Sequence, residues 1–395
     1  MPSNLDGPNL EPANLDAART SAQPDERFMA RAIDLAERGR GTTSPNPLVG
    51  CVLVAHGEIV AEGFHRRAGE AHAETIALQA AGDAARGATA YLTLEPCDHH
   101  GRTPPCSLAL ISAGVRRVVL ALRDPDPRVD GRGVRRLRDA GIEVTEGVLE
   151  DAARTQNEAF LTAQREGRPF VTYKTAMTLD GKIATRSGHA RWVSDEPSRT
   201  HAHRLRHEVD AVAVGIRTVL HDDPRLTTRL PDGRTPLKIV FDRTARTPTD
   251  AALFDPSPDG VPARVLIVLG PDAPPERRVA LHRAGCDLIE LDGPAGEPPS
   301  VDEALARLHE REVRSLLLEG GGTLAWSFLA ARAIDRVVWF VAPKLIGGSG
   351  PGPLGGAGVD AMDQATHLDD VHVERSGVDL CVTGRPRYPS ATEAG

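Results

Sequence analysis

Two α/β domains in tandem are what this sequence predicts, on three observations. The chain has 395 residues, enough to bury two separate cores. Short runs rich in Val, Ile, Leu and Ala alternate with stretches of helical period, the pattern of sheets covered by helices. That alternation is interrupted by a polar helical stretch over 148–167, and each side carries its own chemical cluster: His, Glu and Cys before it, a glycine run after it. The expected division is a disordered N-terminal extension over 1–24, a first domain over 25–147, a linking helix over 148–167, a second domain over 168–385 and a tail over 386–395.

The elements follow in order. Residues 1–24 hold Pro, Asn and Asp with few large apolar side chains, too little surface to offset ordering. Asp25 reads as the N-cap of a helix whose apolar face is Phe28, Met29, Ala32, Ile33, Leu35 and Ala36. Residues 51–55 and 59–64 flank His56-Gly57 as a hairpin. His72 opens a helix that stops at Gly82, residues 90–94 form a strand, and Pro105 suits the first turn of a helix over 106–113. Strands at 118–122 and 142–144, around a helix near 134–137, complete a three-layer domain. In the second half, strands at 169–177, 211–215, 237–242, 265–269, 288–291 and 315–318 alternate with helices at 196–207, 276–284 and 301–311. This implies a largely parallel sheet, closed by strands at 337–341, 371–374 and 380–383.

Composition narrows the function classes. Hydrophobic content of 40% and charged content of 26% are ordinary for a globular protein. A net charge of −8 lacks the basic footprint of a nucleic-acid binder, so no nucleic-acid partner is expected. No apolar run reaches membrane-spanning length and the N-terminus has no basic-then-apolar leader, so no membrane association is expected. Five scattered cysteines make no disulfide framework and fit the cytoplasm.

The first cluster reads His72-Ala73-Glu74, then Glu95-Pro96-Cys97, then Pro105-Cys106. His-x-Glu followed by Pro-Cys and a second Cys is the order of a zinc deaminase, so the first domain is expected to be cytidine-deaminase-like. Zn²⁺ favours a tetrahedron of N and S donors, and a catalytic site leaves one corner to water. His72, Cys97 and Cys106 supply the other three. The ion draws the pKa of that water toward neutrality, and Glu74 is placed to take its proton and pass it to a leaving amine. Isolated Cys and His are commonly packing residues; the ordered combination is what argues for metal. A structural ion would want a fourth ligand, which His99 or His100 offers, but the catalytic reading is preferred. Deaminases of free cytidine or nucleic acid usually carry C-x-x-C, whereas eight residues, Asp98 to Pro105, separate these cysteines. Within that insertion Arg102 is a candidate substrate contact.

The second cluster is Leu318-Glu319-Gly320-Gly321-Gly322-Thr323, between a strand and a helix expected from about Leu324. Glycines let backbone N–H groups approach phosphate, and a helix N-terminus adds positive partial charge. The spacing is neither G-x-G-x-x-G nor a P-loop, so by itself it fits a phosphate cradle and a tight connection equally.

Together with Ser44-Pro45-Asn46-Pro47-Leu48-Val49-Gly50 and Gly63-Phe64-His65, these motifs make the sequence resemble the bifunctional deaminase/reductases of riboflavin biosynthesis, over roughly residues 26–385. Lys174, Leu179-Asp180-Gly181, Ser187-Gly188, Trp192, the run from Thr218 to Thr227 and Ala342-Pro343-Lys344-Leu345 extend the match. The resemblance implies a dihydrofolate-reductase-like second domain, with NADPH joining Zn²⁺ as cofactor. It implies hydrolytic deamination of diaminohydroxyphosphoribosylaminopyrimidine, a phosphorylated pyrimidine, followed by reduction of its ribosyl group to ribityl. NADPH contacts would fall on Ala176, Trp192, Thr218, Asp222, Gly321, Gly322 and Thr323. The ribose phosphate would meet Arg206, Leu226, Arg229 and Glu319, and Asn46 and His65 would bind substrate in the deaminase site. Asp98, where the family usually has a small residue, and the glycine-heavy stretch 347–352 are departures. A homo-oligomer is expected. A nucleoside or tRNA deaminase with an unrelated nucleotide-binding second domain is the runner-up; C-x-x-C and a basic charge would have favoured it, and neither is present.

Overall fold

The computed structural model describes residues 13–98, 104–126, 129–231, 233–257 and 260–389. The chain divides into two compact units, one through Leu161 and one from Thr162.

The first unit opens with α1 (Ala13–Glu37), followed by the hairpin β1 (Gly50–Ala55) and β2 (Glu58–Phe64). The hairpin turn has positive φ at both His56 and Gly57, as a two-residue turn matched to strand twist requires. Next come α2 (Ala73–Ala81), β3 (Thr89–Leu94), α3 (Cys106–Ser112), β4 (Arg117–Leu122), α4 (Arg132–Asp139), β5 (Glu143–Thr145), α5 (Glu150–Gln156) and α6 (Glu158–Glu166). The sheet order is β2-β1-β3-β4-β5, with β3, β4 and β5 parallel. Successive residues of β1 face opposite layers. Cys51 and Leu53 pack with Ala77, Leu110 and Leu137 of α2 to α4, while Val52 and Val54 pack with Phe28, Met29 and Ala32 of α1 and with Ala153, Phe160 and Leu161.

Two expectations change here. The first helix starts at Ala13, not Asp25, because Ala13, Ala17, Ala18 and Ala22 favour helix; Pro24 lies inside it. Asp25 is a buried ion-pair partner instead of a cap, accepting from Tyr91 Oη at 2.7 Å and from both terminal nitrogens of Arg117 at 3.0 and 2.7 Å. The stretch read as one linking helix is two, broken at Asn157. Asn157 Oδ1 accepts from Leu48 N at 2.8 Å and its Nδ2 donates to Leu48 O at 2.9 Å, so α5 and the start of α6 belong to the first core.

In the second unit β6 (Phe170–Thr178), α7 (Glu196–Glu208), β7 (Ala211–Gly215), α8 (Ile216–Asp222), β8 (Leu237–Phe241), β9 (Val265–Leu269), α9 (Pro275–Arg283), β10 (Asp287–Glu290), α10 (Val301–Glu310), β11 (Ser315–Glu319), α11 (Gly322–Ala330), β12 (Arg336–Ala342), β13 (His367–Ser376) and β14 (Asp379–Arg387) follow in turn. They build a sheet of order β10-β9-β8-β7-β11-β6-β12-β14-β13. It is parallel from β10 to β12, and β14 and β13 add antiparallel. Apolar residues fill both faces: Ala213, Ile239 and Leu316 pack with Leu305 and Phe328, and Val212, Val240 and Leu317 pack with Leu253 and Leu281. The strand order reverses where β11 lies between β6 and β7, and such a point at the carboxyl ends of strands is where α/β sheets take ligands.

Candidate functional site

In the first unit α2 and α3 bring the metal donors together. His72 is the N-cap of α2 and Cys106 the first residue of α3, so both helix starts face one point. Gly63 makes room: a Cβ there would lie 2.3 Å from Ala73 O, so only glycine lets the first turn of α2 press onto β2. His72 Nδ1 is 3.3 Å from Cys106 Sγ and 3.6 Å from Cys97 Sγ. Ordinary Zn–N and Zn–S bonds in a tetrahedron place such donors about 3.6 Å apart, so the trio fits zinc without rearrangement. The Cys106 backbone N–H donates to Cys97 Sγ at 3.4 Å. Hydrogen bonding from Cys106, aided by His72, holds the Cys97 thiol down at about 4, the thiolate a metal needs, whereas Cys106 beside that anion is pushed up.

Glu74, on the first turn of α2, is 3% exposed, and its Oε2 has no hydrogen-bond partner. Burial, then the Cys97 thiolate, raises its carboxyl above the usual range, as suits a group that must both take and give a proton. Asn46 and His65 line up beside the donors. His65 Nδ1 donates to Ala71 O at 3.1 Å, which leaves Nε2 to accept from Asn46 Nδ2 at 3.1 Å, and the His65 and His72 rings are 5.6 Å apart. Burial lowers the His65 pKa, keeping the ring neutral. Asp98 is buried, accepting from Ser107 Oγ at 2.6 Å and pairing with Arg136, so it clamps the metal-bearing loop to α3 and α4. Arg102, like His99 and His100, lies outside the described residues.

In the second unit the carboxyl ends of β6, β7, β8 and β11 open into a cavity of about 840 Å³, the size of a cofactor site. Ala176, Thr218, Asp222, Glu319, Gly321, Gly322 and Thr323 all line it. The helix after the glycines starts at Gly322, two residues earlier than expected, so its amide end opens there. Gly320 is held at φ +130° against Thr218 Oγ1, whereas Gly321 has φ −68° and an added Cβ would enter open space. A nucleotide phosphate fits this loop. Trp192 is 62% exposed and does not line the cavity; the Arg199 guanidinium is 4.7 Å from its ring. Arg206 is engaged by Glu319 and by Thr227 O. Leu226 is buried with φ 51°, and Arg229 is exposed.

Three lining groups escaped the candidate residues drawn from the sequence. Lys174, matched only as part of a pattern, holds its ammonium 3.5 Å from Glu319. Arg243 and Arg246 line the cavity just past β8. The available signal was their place directly after a parallel strand.

Fold and site together define a zinc-dependent deaminase joined to a nucleotide-dependent reductase. Residues 22–122 match the cytidine and deoxycytidylate deaminase zinc-binding region, and residues 169–382 match the RibD C-terminal domain. The riboflavin biosynthesis protein RibD of Actinobacillus pleuropneumoniae is 42% identical over 90% of this chain and 94% of its own length. That of Escherichia coli is 38% identical over 91% and 98%. Among solved structures, the diaminohydroxyphosphoribosylaminopyrimidine deaminase/5-amino-6-(5-phosphoribosylamino)uracil reductase of Thermotoga maritima is similar at 38% identity and TM-score 0.81, covering 93% of this chain and 100% of that one. Acinetobacter baumannii RibD is similar at 37% and 0.83, covering 93% and 99%. The chain belongs to the RibD family, the bifunctional deaminase/reductases of riboflavin biosynthesis, which act on a phosphorylated pyrimidine with zinc and NADPH. Its halves are accordingly a cytidine-deaminase-like domain and a dihydrofolate-reductase-like domain.

Proposed function

We propose that this chain performs both steps in the name of the Thermotoga protein, with His72, Cys97 and Cys106 holding zinc and Glu74 moving the proton. The observation that carries the reading is the orphaned, buried Glu74 Oε2 beside three donors at zinc spacing. Zinc, when bound, supplies a polarised water. Glu74 takes a proton from the attacking water and delivers it to the departing ammonia. Neutral His65, both ring nitrogens engaged by Asn46 and Ala71 O, fixes the Asn46 amide, whose remaining N–H and Oδ1 meet the pyrimidine.

In the reductase unit NADPH, when bound, supplies hydride to the ribosyl C1′. Ala176, Thr218 and Asp222 line its bed, and the amide end of α11 at Gly321 to Thr323 takes a phosphate. Arg243 and Arg246 fit the further phosphate that distinguishes this dinucleotide. Lys174 donates the proton that the ring oxygen needs as the C1′–oxygen bond breaks, and Glu319 holds the ammonium in place. Exposed Arg229 meets the substrate phosphate, while Arg206 acts as the partner of Glu319 and Leu226 shapes the wall; Trp192 closes over the cofactor from its exposed position.

The chain works as a homo-oligomer paired through β13, an edge strand that exposes Leu368, Val371 and Val373. Its net charge of −8 supports a small-molecule substrate without nucleic acid, and its free cysteines support a cytoplasmic location. Among the described residues no helix is long and apolar enough to cross a membrane.

The test is Glu74→Gln, assayed with the aminopyrimidine substrate for ammonia and with pre-deaminated substrate for NADPH oxidation. Bound zinc and NADPH oxidation are expected to stay at wild-type level while deamination falls by roughly a hundredfold or more. Deamination near the wild-type rate would remove Glu74 from the chemistry.

A further inference from the structure

Three metal-ligating side chains converge a second time among the described residues, in the reductase unit. His201 on α7, Glu374 on β13 and Cys381 on β14 have ligand atoms all within 4.8 Å of one another. The register sets this up: Glu374 lies directly across from Cys381, and Cys381 across from Phe340, whose ring meets the His201 imidazole edge-on at 5.4 Å. Among the described residues no side-chain hydrogen bond or ion pair engages any of the three. Arg204 and Arg375 line the same cavity of about 550 Å³, yet Glu374 pairs with neither. Singly, each residue is unremarkable: Cys381 is a buried thiol pushed up to about 11 by desolvation and then by Glu374, and His201 is a half-buried ring whose pKa burial lowers. Jointly they offer one nitrogen, one sulfur and one oxygen, His201 and Glu374 at the wall of a cavity and Cys381 buried directly behind them.

We propose that His201, Glu374 and Cys381 form a second zinc site, separate from that of the deaminase. Imidazole, thiolate and carboxylate are the donor classes zinc takes, and three protein donors leave the fourth corner to water from the cavity. A neutral imidazole is the form that coordinates, and the ion displaces the Cys381 proton on binding, so affinity rises with pH. Such an ion would pin α7 to the β13–β14 hairpin. Because α7 also carries Arg206, it would steady the residue that holds Glu319 at the cofactor cavity.

The experiment is metal analysis of the full-length protein after saturation with zinc and removal of loosely held ion by gel filtration, alongside thermal unfolding. Wild type is expected to retain two zinc ions per chain, and Cys381→Ser and His201→Gln one each, with ammonia release unchanged. Cys106→Ser is expected to retain one as well, the converse loss. Zinc should raise the unfolding temperature of the reductase transition in wild type and not in His201→Gln. A single zinc in wild type, or two in both Cys381→Ser and His201→Gln, overturns the proposal. Should Cys381→Ser fail to fold, His201→Gln and Glu374→Gln decide it, since both positions reach solvent.

Discussion

Arg206 and Glu319 meet at two points, Nε to Oε1 at 2.6 Å and Nη2 to Oε2 at 3.1 Å, with the arginine side chain 17% exposed and the glutamate 10%. Burial alone would raise the Glu319 carboxyl, but the Arg206 guanidinium, then Lys174, outweigh it and hold it at about 2, against an ordinary 4.5. The folded pKa is depressed, so the stabilisation is present above 4.5 and is lost as pH falls from there through about 2. A displacement of this size is worth about 3 kcal/mol at neutral pH. Glu319→Gln should therefore lower the stability of the reductase unit at pH 7, leave Arg206 buried without its counter-charge, and flatten the loss of stability across that acid window. Urea unfolding at pH 7 and pH 3 reads both effects; an unchanged acid slope would show that the pair contributes little.

Adjacent glycines in the cofactor loop should respond in opposite ways. Gly321→Val places its side chain in open space from an ordinary backbone angle, so the fold should be untouched while NADPH binding weakens by roughly tenfold or more through crowding of the phosphate. Gly320→Ala must hold φ +130° with a Cβ 2.9 Å from Thr218 Oγ1, and should destabilise the unit by about 1–3 kcal/mol. Thermal unfolding and NADPH titration on both variants separate the effects. Normal affinity in a stable Gly321→Val protein would take this loop out of the cofactor site.

A deaminase fragment should need α5 and α6. Ending the chain at 147 removes Ala153, Phe160 and Leu161 from the first core and Asn157 from Leu48, two residues from Asn46. A fragment through residue 166 is expected to be soluble and to release ammonia, whereas one ending at 147 is expected to aggregate or lose activity. Equal activity from the two would mean that the Asn157 anchor is dispensable.

How far the sequence could be read depended on distance along the chain. His72, Glu74, Cys97 and Cys106 were legible because their spacing is local, and so were the central strands, whose apolar runs are buried on both faces. Asp25 was misread because an acid ahead of an apolar face is an ordinary cap signal, while its true partner, Arg117, is 92 residues away. Arg206 could be named only through the family resemblance, since no local pattern announces that Glu319 meets it across the sheet. Arg243 and Arg246 meet the glycine loop only because β8, β7 and β11 are neighbours, a fact of strand order.

Strand order also sets when each site can exist. The three candidate zinc donors lie within a short early segment, and the unit that supports them is complete by Leu161. The reductase cavity joins Lys174 to Glu319 only once β11 has entered between β6 and β7, and β12 must then pair along β6. During synthesis from the N-terminus, the deaminase can therefore mature on the ribosome while β6 waits, unpaired on both edges, for strands still to be made. Throughout that interval both edges of β6 stay open to mispairing.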